Sequence, residues 1–460
     1  MSVISRPIAG SVRDYHFPTI EHAMMANGMR LLVARMPRLP LVTVLGLIDA
    51  GASMDPPGAE GTASLTARTI TEGTAGMDGA ALTDRLEALG TSLDGFADWD
   101  CTGARFTVMP SRLDEAFSLF AEVLRAPAFP DADVARKRDE RIAHLTERLA
   151  EPRGLADQRF SGFLYATRSR YARAAGGTLR TVPSLHAGSV RDFHRTRYTP
   201  QATTLIFVGD ITMAEATRLA TSTLGDWSAT TSIAGNASMG AEVAQRAARR
   251  AVIVEKEDAP QSELRVGHVG VSRSHPDYMP IVVMNAILGG LFSSRINLNL
   301  REKNAFTYGA SSGFDWRRGP GPFVVSTAVK SEITDRAVEE ILREIDLMRA
   351  APPSASELAL ATDYLAGVFP IRYESTDAVA GAIANAVTFG LPDDWFATYR
   401  MRVQAVTTAD VHAAARAHVD PERMLVLAVG DPAVIRTPLE RLAVGEVIVV
   451  PPTFDPADET

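Results

Sequence analysis

Hydrophobic and polar positions along the chain fall into two recurring patterns. Short, nearly unbroken apolar runs end in a turn, and longer stretches carry apolar residues three and four apart. Thr204-Leu-Ile-Phe-Val-Gly-Asp210 is of the first kind, a strand-length run closed by Gly-Asp. Met424-Leu-Val-Leu-Ala-Val-Gly-Asp431 repeats it, and the two Val-Gly-Asp triplets lie 221 residues apart. Leu31-Leu-Val-Ala-Arg35, Pro40 and an alternating run through Ile48 recur as Val252-Ile-Val-Glu255, Pro260 and a run through Val271. The two prolines are 220 residues apart. Two landmarks with nearly one offset point to an internal duplication.

The helical patterns repeat as well. In Arg112–Arg125, Leu113, Ala116, Phe117, Phe120, Val123 and Leu124 share one helical face, as do Val338, Ile341, Leu342, Ile345 and Met348 in Arg336–Arg349. Each predicted helix meets a proline-containing stop, Ala126-Pro127 or Pro352-Pro353. Ser354-Ala-Ser-Glu357 then has capping-box spacing for a further helix. Ser228–Ala241 is rich in Ser, Thr, Ala and Gly and lacks periodicity, which predicts a linker. The expected division is a domain over 1–227, a linker over 228–249 and a second domain over 250–460. Strands and helices do not alternate strictly, so each domain is expected to be α+β, an antiparallel or mixed sheet faced by helices.

Composition narrows the partners. The 460 residues suffice for two or more domains with cores of their own, and 46% hydrophobic with 22% charged residues is ordinary for a globular protein. Lys and Arg number 47 against 55 Asp and Glu, a net charge of −8 that predicts no nucleic-acid partner and no anionic membrane surface. Apolar runs such as Leu41–Ile48 fall far short of the ~20 residues that cross a bilayer. Met1-Ser-Val-Ile-Ser-Arg6 does not have the form of a signal peptide, so the expected location is cytoplasmic. Cys101, the single cysteine, can form neither an internal disulfide nor a thiolate zinc site.

Familiar catalytic arrangements are missing. The sequence has no phosphate-binding Gly-x-x-x-x-Gly-Lys-Ser/Thr loop. None of its nine histidines falls in His-Glu-x-x-His or His-x-x-Glu-His spacing, which would set two imidazoles and a carboxylate on one helical face. His144 with Glu140 or Glu147 shares a helical side, a pattern that exposed helix polarity accounts for. From residue chemistry alone, no enzyme is indicated.

A resemblance changes that picture. Asp49-Ala-Gly-Ala-Ser53, Gly61-Thr-Ala63 and Glu72-Gly-Thr74 resemble the start of the M16 (pitrilysin and mitochondrial-processing-peptidase-like) zinc peptidases. In that family His-x-x-Glu-His stands between the last two of these segments. The corresponding residues here are Ser64, Ala67 and Arg68, and the later ligand carboxylate would fall at Glu147, after Glu140-Arg141. The resemblance thus implies a first domain without its metal: Arg68 is a fixed cation, and one carboxylate makes a poor zinc site. The second domain carries Leu288-Gly-Gly-Leu-Phe-Ser-Ser-Arg295 and Leu300-Arg-Glu-Lys-Asn-Ala-Phe-Thr-Tyr308, similar to the family's other signature, with Asn304 where Gly is usual. Phe193-His-Arg-Thr-Arg-Tyr-Thr-Pro200 resembles a family lead-in and is read as structural.

The resemblance implies two homologous LuxS/MPP-like metallohydrolase domains. It implies that Arg301 and Tyr308 hold a substrate carbonyl and stabilise the oxyanion, with Gly289, Gly290, Ser293, Ser294 and Arg295 forming an interface or substrate loop. Taken without it, spacing alone favours Arg301 paired with Glu302 or Glu339, and Tyr308 at the start of a strand with its hydroxyl in solvent. The expected function is the non-zinc subunit of a heterodimeric peptidase, inactive alone, which binds no metal or cofactor itself. A partner carrying His-x-x-Glu-His would hold the zinc, and the substrate would be a peptide or unfolded protein added as a strand to a sheet edge. The rival expectation is an inert M16-like scaffold or peptide-binding clamp.

Overall fold

The computed structural model describes residues 14–167, 169–228 and 249–455. Most of the expected linker therefore lies outside the described residues. The strands are β1 (Ile20–Met24), β2 (Arg30–Arg35), β3 (Val42–Ile48), a hairpin of β4 (Gly73–Thr74) and β5 (Met77–Asp78), β6 (Asp94–Ala97), β7 (Thr102–Val108) and β8 (Thr203–Gly209). After them come β9 (Arg250–Glu255), β10 (Gln261–Val269), β11 (Ala310–Phe314), β12 (Pro322–Lys330), β13 (Leu425–Gly430) and β14 (Glu446–Val450).

Two six-stranded sheets result, ordered β1-β2-β8-β3-β7-β6 and β11-β12-β10-β13-β9-β14. Read from opposite ends, β2-β8-β3-β7-β6 and β9-β13-β10-β12-β11 have one topology. The first pair in each is parallel and the rest are antiparallel. The remaining edge differs: β1 runs antiparallel to β2, whereas β14 runs parallel to β9. The repeated sequence landmarks lie on equivalent strands, and the α+β class with mostly antiparallel sheets is the one expected. Val-Gly-Asp closes β8 and β13 for a steric reason. A Cβ at Gly209, whose φ is 144°, would sit 2.1 Å from the Leu41 carbonyl oxygen, and one at Gly430 would sit 2.6 Å from Ser262 Oγ.

Each sheet has one face covered by helices of its own half. The Leu113–Arg125 helix packs Phe117 and Phe120 against Phe106 and Phe207. The Thr334–Ala350 helix places Val338, Ile341, Ile345 and Met348 in the second core. The opposite faces are covered by exchange. Helix Pro152–Leu164, from the first half, lies on β10 and β13 of the second sheet. Its Leu155, Phe160 and Phe163 join Val252, Val254, Leu425 and Leu427. Helix Thr376–Phe389, from the second half, lies on β3 and β8, with Val379, Ala380 and Ile383 against Leu32, Leu45, Leu47 and Ile206. Burying each such large apolar side chain contributes roughly 1.5–3 kcal/mol. Cover on both faces explains why every position of β3 and β8 is buried.

Among the described residues, one helical stretch, Tyr278–Lys303, is long and apolar enough to cross a membrane, and 56% of its most apolar window is buried inside the protein. Ile281, Met284, Leu288, Ile296 and Leu300 belong to the second core, and the stretch leaves helical geometry over 291–294.

Candidate functional site

The first half presents the Thr62–Thr69 helix at the place the resemblance assigns to a metal. Asp55 anchors its start by accepting hydrogen bonds from the Gly61 and Ala63 amides, each at 2.8 Å, and by pairing with Arg170 at 3.1 Å. Burial pushes the Asp55 carboxyl up to about 6, against the pull of Arg170 and the two amides. Ala67 is buried, Ser64 half-buried and Arg68 exposed. Helix Asp131–Ala150 packs across this helix and carries Glu147, which is exposed. The Arg68 and Arg148 guanidiniums act on Arg141, and all three act on His144. The residues do not fit zinc: Ser64, Ala67 and Arg68 supply no imidazole or carboxylate, and three cations oppose a fourth. His144 is also engaged, because its Nδ1 accepts from Arg141 Nη1 at 2.9 Å.

Two other candidates have structural explanations. Among the described residues, one group of His and carboxylate atoms lies close enough to hold an ion: His275, Asp277 and His418, within 4.8 Å of one another. These groups are satisfied within the group. His418 Nε2 lies 2.8 Å from Asp277 Oδ2, and His275 Nδ1 accepts the Asp277 amide at 3.1 Å. They tie the start of helix Tyr278–Asn285 to the end of helix Thr408–His418. The Cys101 thiol is pushed up to about 12 by burial, so it is not a nucleophile at neutral pH.

The second half has a site of different construction. Helix Tyr278–Asn285 passes into a π-helical turn, Ala286–Gly290, and after a short loop and the Arg295–Asn297 turn comes a second, Leu298–Lys303. Such turns cluster at functional sites. Gly289 lets the first turn lie on β11, since a Cβ there would be 2.3 Å from Ser312 Oγ. Gly290 and Ser293 are exposed, and Ser294 is buried at the start of the Arg295–Asn297 turn. Asn297 fixes the loop at both ends. Its Nδ2 donates to the Phe292 carbonyl at 2.6 Å, and its Oδ1 accepts from the Ala310 amide at 3.0 Å.

Side chains around this loop divide into anchored and available. Arg295 is anchored, with Nε and Nη2 on the Glu357 carboxylate at 2.6 and 3.1 Å. Glu357 also closes the expected capping box with Ser354, and the Arg295 hydrogen bonds above all hold its carboxyl down at about 2. Asn304 is anchored too, donating to Asn299 Oδ1 at 2.6 Å, while Asn299 donates to Glu340 and Glu344. The left-handed backbone falls on the next residue, Ala305, with φ 53°.

Arg301 and Tyr308 are available. The Arg301 guanidinium lies 4.6 Å from the ring centre of Phe292. Its Nη1 is enclosed 3.2 Å from Glu302 Oε1 without a hydrogen bond of proper geometry. Tyr308 is 95% exposed, and among the described residues no hydrogen bond or ring contact holds it. Phe292 is 70% exposed. Residue chemistry had not singled out Phe292; a tertiary contact with Arg301 is what sets it apart.

Known proteins share this arrangement of domains. The family described as "Insulinase (Peptidase family M16)" matches residues 31–178, and "Peptidase M16 inactive domain" matches residues 184–365. A probable mitochondrial-processing peptidase subunit beta of Arabidopsis thaliana is 22% identical over 431 residues, covering 90% of this chain and 78% of its own. An uncharacterized zinc protease of Streptomyces coelicolor is 22% identical over 411 residues, 88% of each chain. The crystal structure of a peptidase M16 inactive domain from Pseudomonas fluorescens superposes with a TM-score of 0.81 at 26% identity, covering 90% of this chain and 98% of that one. The two M16 matches follow one another along a duplicated fold, the first containing Ser64, Ala67, Arg68 and Glu147 and the second Arg301 and Tyr308, and the chain therefore belongs to the M16 peptidase family.

Proposed function

We infer that this chain is the non-metal subunit of a two-subunit M16 peptidase and supplies Arg301 and Tyr308 to a peptide held at a partner's active site. One observation carries the reading: on an anchored loop, Arg301 keeps a donor without a hydrogen bond and Tyr308 is 95% exposed. A large aromatic side chain left in water with its hydroxyl unpaired is suited to a surface that something else completes. The zinc-type position of the same chain has no ligands, so the metal belongs to a partner with His-x-x-Glu-His. The partner's zinc would activate the attacking water. A relative named as a subunit supports assembly with a second chain.

The chemistry assigned to this chain is donation. A guanidinium and a phenol directed at a peptide carbonyl hold it in place and stabilise the negative charge that develops on its oxygen, a contribution of about 3–4 kcal/mol per donor in comparable sites. The stacking of Arg301 on Phe292 restricts the guanidinium before substrate arrives.

The test uses the chain purified with a partner that carries His-x-x-Glu-His. Arg301→Ala and Tyr308→Phe are expected to lower kcat/KM while the pair still co-elutes on size exclusion. Unchanged turnover in both variants would refute the donor role and leave an inert scaffold or clamp.

A further inference from the structure

The cationic face that replaces the metal-type site is built with more order than a scatter of surface charge. Arg141, His144 and Arg148 recur at three- and four-residue spacing, so they share one face of helix Asp131–Ala150. Arg68 meets this face from the last turn of helix Thr62–Thr69. Arg141 is fixed in position: Nε donates to the Gly176 carbonyl at 3.0 Å and Nη1 to His144 at 2.9 Å. A Cβ at Gly176 would lie 2.3 Å from Arg141 Nη2, so the guanidinium rests directly on that turn.

Neighbouring cations on this helix and after it are paired with carboxylates at short range, and Arg68 and Arg141 are not. Arg136 and Lys137 share Glu72 and Glu140 at 2.6–3.5 Å. Arg170 and Arg173 pair with Asp55 and Glu60. Arg148 reaches Asp157 only at 3.9 Å, and that carboxylate is held by Arg265 at 2.8 Å. Among the described residues no carboxylate pairs with Arg68 or Arg141, and Glu147 is the one acidic group that acts on His144. Burial and then the charges of Arg68 and Arg148 bring the Arg141 guanidinium down to about 10, and burial with the three arginines lowers His144. The face is short of negative charge.

We propose that this face is a receptor for a carboxylate of the bound peptide, held by Arg68, Arg141 and Arg148 at the place that the resemblance assigns to a metal. Planar guanidiniums match a carboxylate in charge and geometry, and they give charge-assisted hydrogen bonds. The carboxylate comes from the peptide's C-terminus or from an acidic side chain, and the proposal rests on the reading that the chain binds peptide.

The test measures binding of fluorescent unfolded peptides to the full chain at constant ionic strength. Three probes are compared: the parent acid, its C-terminal amide, and a form with Asp and Glu changed to Asn and Gln. Loss of the recognised carboxylate weakens binding roughly tenfold, the size expected for charge-assisted hydrogen bonds, and the probe that loses affinity identifies the source. Arg68→Gln with Arg148→Gln abolishes that difference, whereas Arg68→Lys with Arg148→Lys retains part of it and shows that the helices remain intact. Equal affinity for all three probes, no binding of the parent acid, or a tenfold difference that survives the glutamine pair would overturn the proposal. Arg301→Ala separates the two readings: it weakens all three probes by one factor and leaves their ratio unchanged. A charge-dependent ratio with no effect of Arg301→Ala would preserve the carboxylate receptor and remove the donor role.

Discussion

The two halves of the chain share a strand order, yet they treat their chemistry-bearing helices in opposite ways. In the first half, helix Thr62–Thr69 is held by Asp55 at its start and crossed by Asp131–Ala150, and what it turns outward is Arg68. In the second, the corresponding effort goes into a loop between two π-helical turns, anchored through Asn297, Asn299 and Arg295, with Phe292 and Tyr308 exposed and Arg301 half-buried against Phe292. Both segments are anchored, but the first half turns out the Arg68 guanidinium, whereas the second turns out the unpaired phenol of Tyr308. Duplication gives two copies of a scaffold, and the chemistry follows from which side chains each copy leaves unpaired.

The comparison is sharpened most by activity. In the assembled pair, Arg301→Ala is expected to lower kcat/KM about 100-fold or more, the loss seen when one oxyanion donor is removed. Ser64→Ala and Glu147→Ala leave it unchanged, since neither group supports a metal here. A comparable loss at Ser64 or Glu147 in steady-state assays would erase the distinction between the halves.

Stability tests the exchange of helices. Phe160→Ala, which empties the contact of the first half's helix with the second sheet, is expected to cost about 3–5 kcal/mol. Ile383→Ala, its counterpart on the first sheet, should cost about 2–5 kcal/mol. Chemical denaturation followed by fluorescence should show one shared transition in each variant. Two separated transitions would mean that the halves unfold independently.

Acid should separate them more gently. Burial holds His194 neutral, with its imidazole down at about 4 and Nε2 on the Leu124 carbonyl at 3.0 Å. The unfolded chain takes up this proton near the ordinary value of 6.5. Stability thus falls as pH drops from 6.5 toward 4, by up to about 3 kcal/mol, and His194→Gln flattens that slope. In the second half the order is displaced. Glu357 is held at about 2 against an ordinary 4.5, so its contribution is present above 4.5 and lost as pH falls toward 2. The Glu357 side chain is about one-third exposed, so Glu357→Gln should cost only about 1 kcal/mol at pH 7, on the scale of a helix cap. Unfolding free energies measured between pH 7 and 2 check both windows.

Much of the fold was legible because duplication writes itself twice. The Val-Gly-Asp strand ends, the helix over Leu113–Arg125 and the Ser354 capping box all follow from local pattern. The exchanged helices did not, for a physical reason: nothing local to Pro152–Leu164 or Thr376–Phe389 says which of two sheets receives its apolar side chains. At the candidate site the Gly-Gly segment and the Arg301/Tyr308 spacing were legible by resemblance. The Arg295–Glu357 pair joins residues distant in sequence and could not be read locally. The meeting of Arg141 and Arg148 with Arg68 depends on the packing of two helices far apart in sequence, which local pattern does not give.

The reciprocal cover of the sheets has a consequence for how such a chain can arise. A half-length ancestor with this fold would bare one apolar sheet face and carry one helix with nowhere to lodge, and a second copy would satisfy both. Joining the copies in tandem converts that mutual embrace into an encounter within one molecule, which linked modules make at effective concentrations on the order of millimolar. Once fused, the copies no longer need to remain alike, so one can lose its metal ligands while still supplying the helix that its twin requires. Divergence between the halves is therefore released by the same contact that keeps them inseparable.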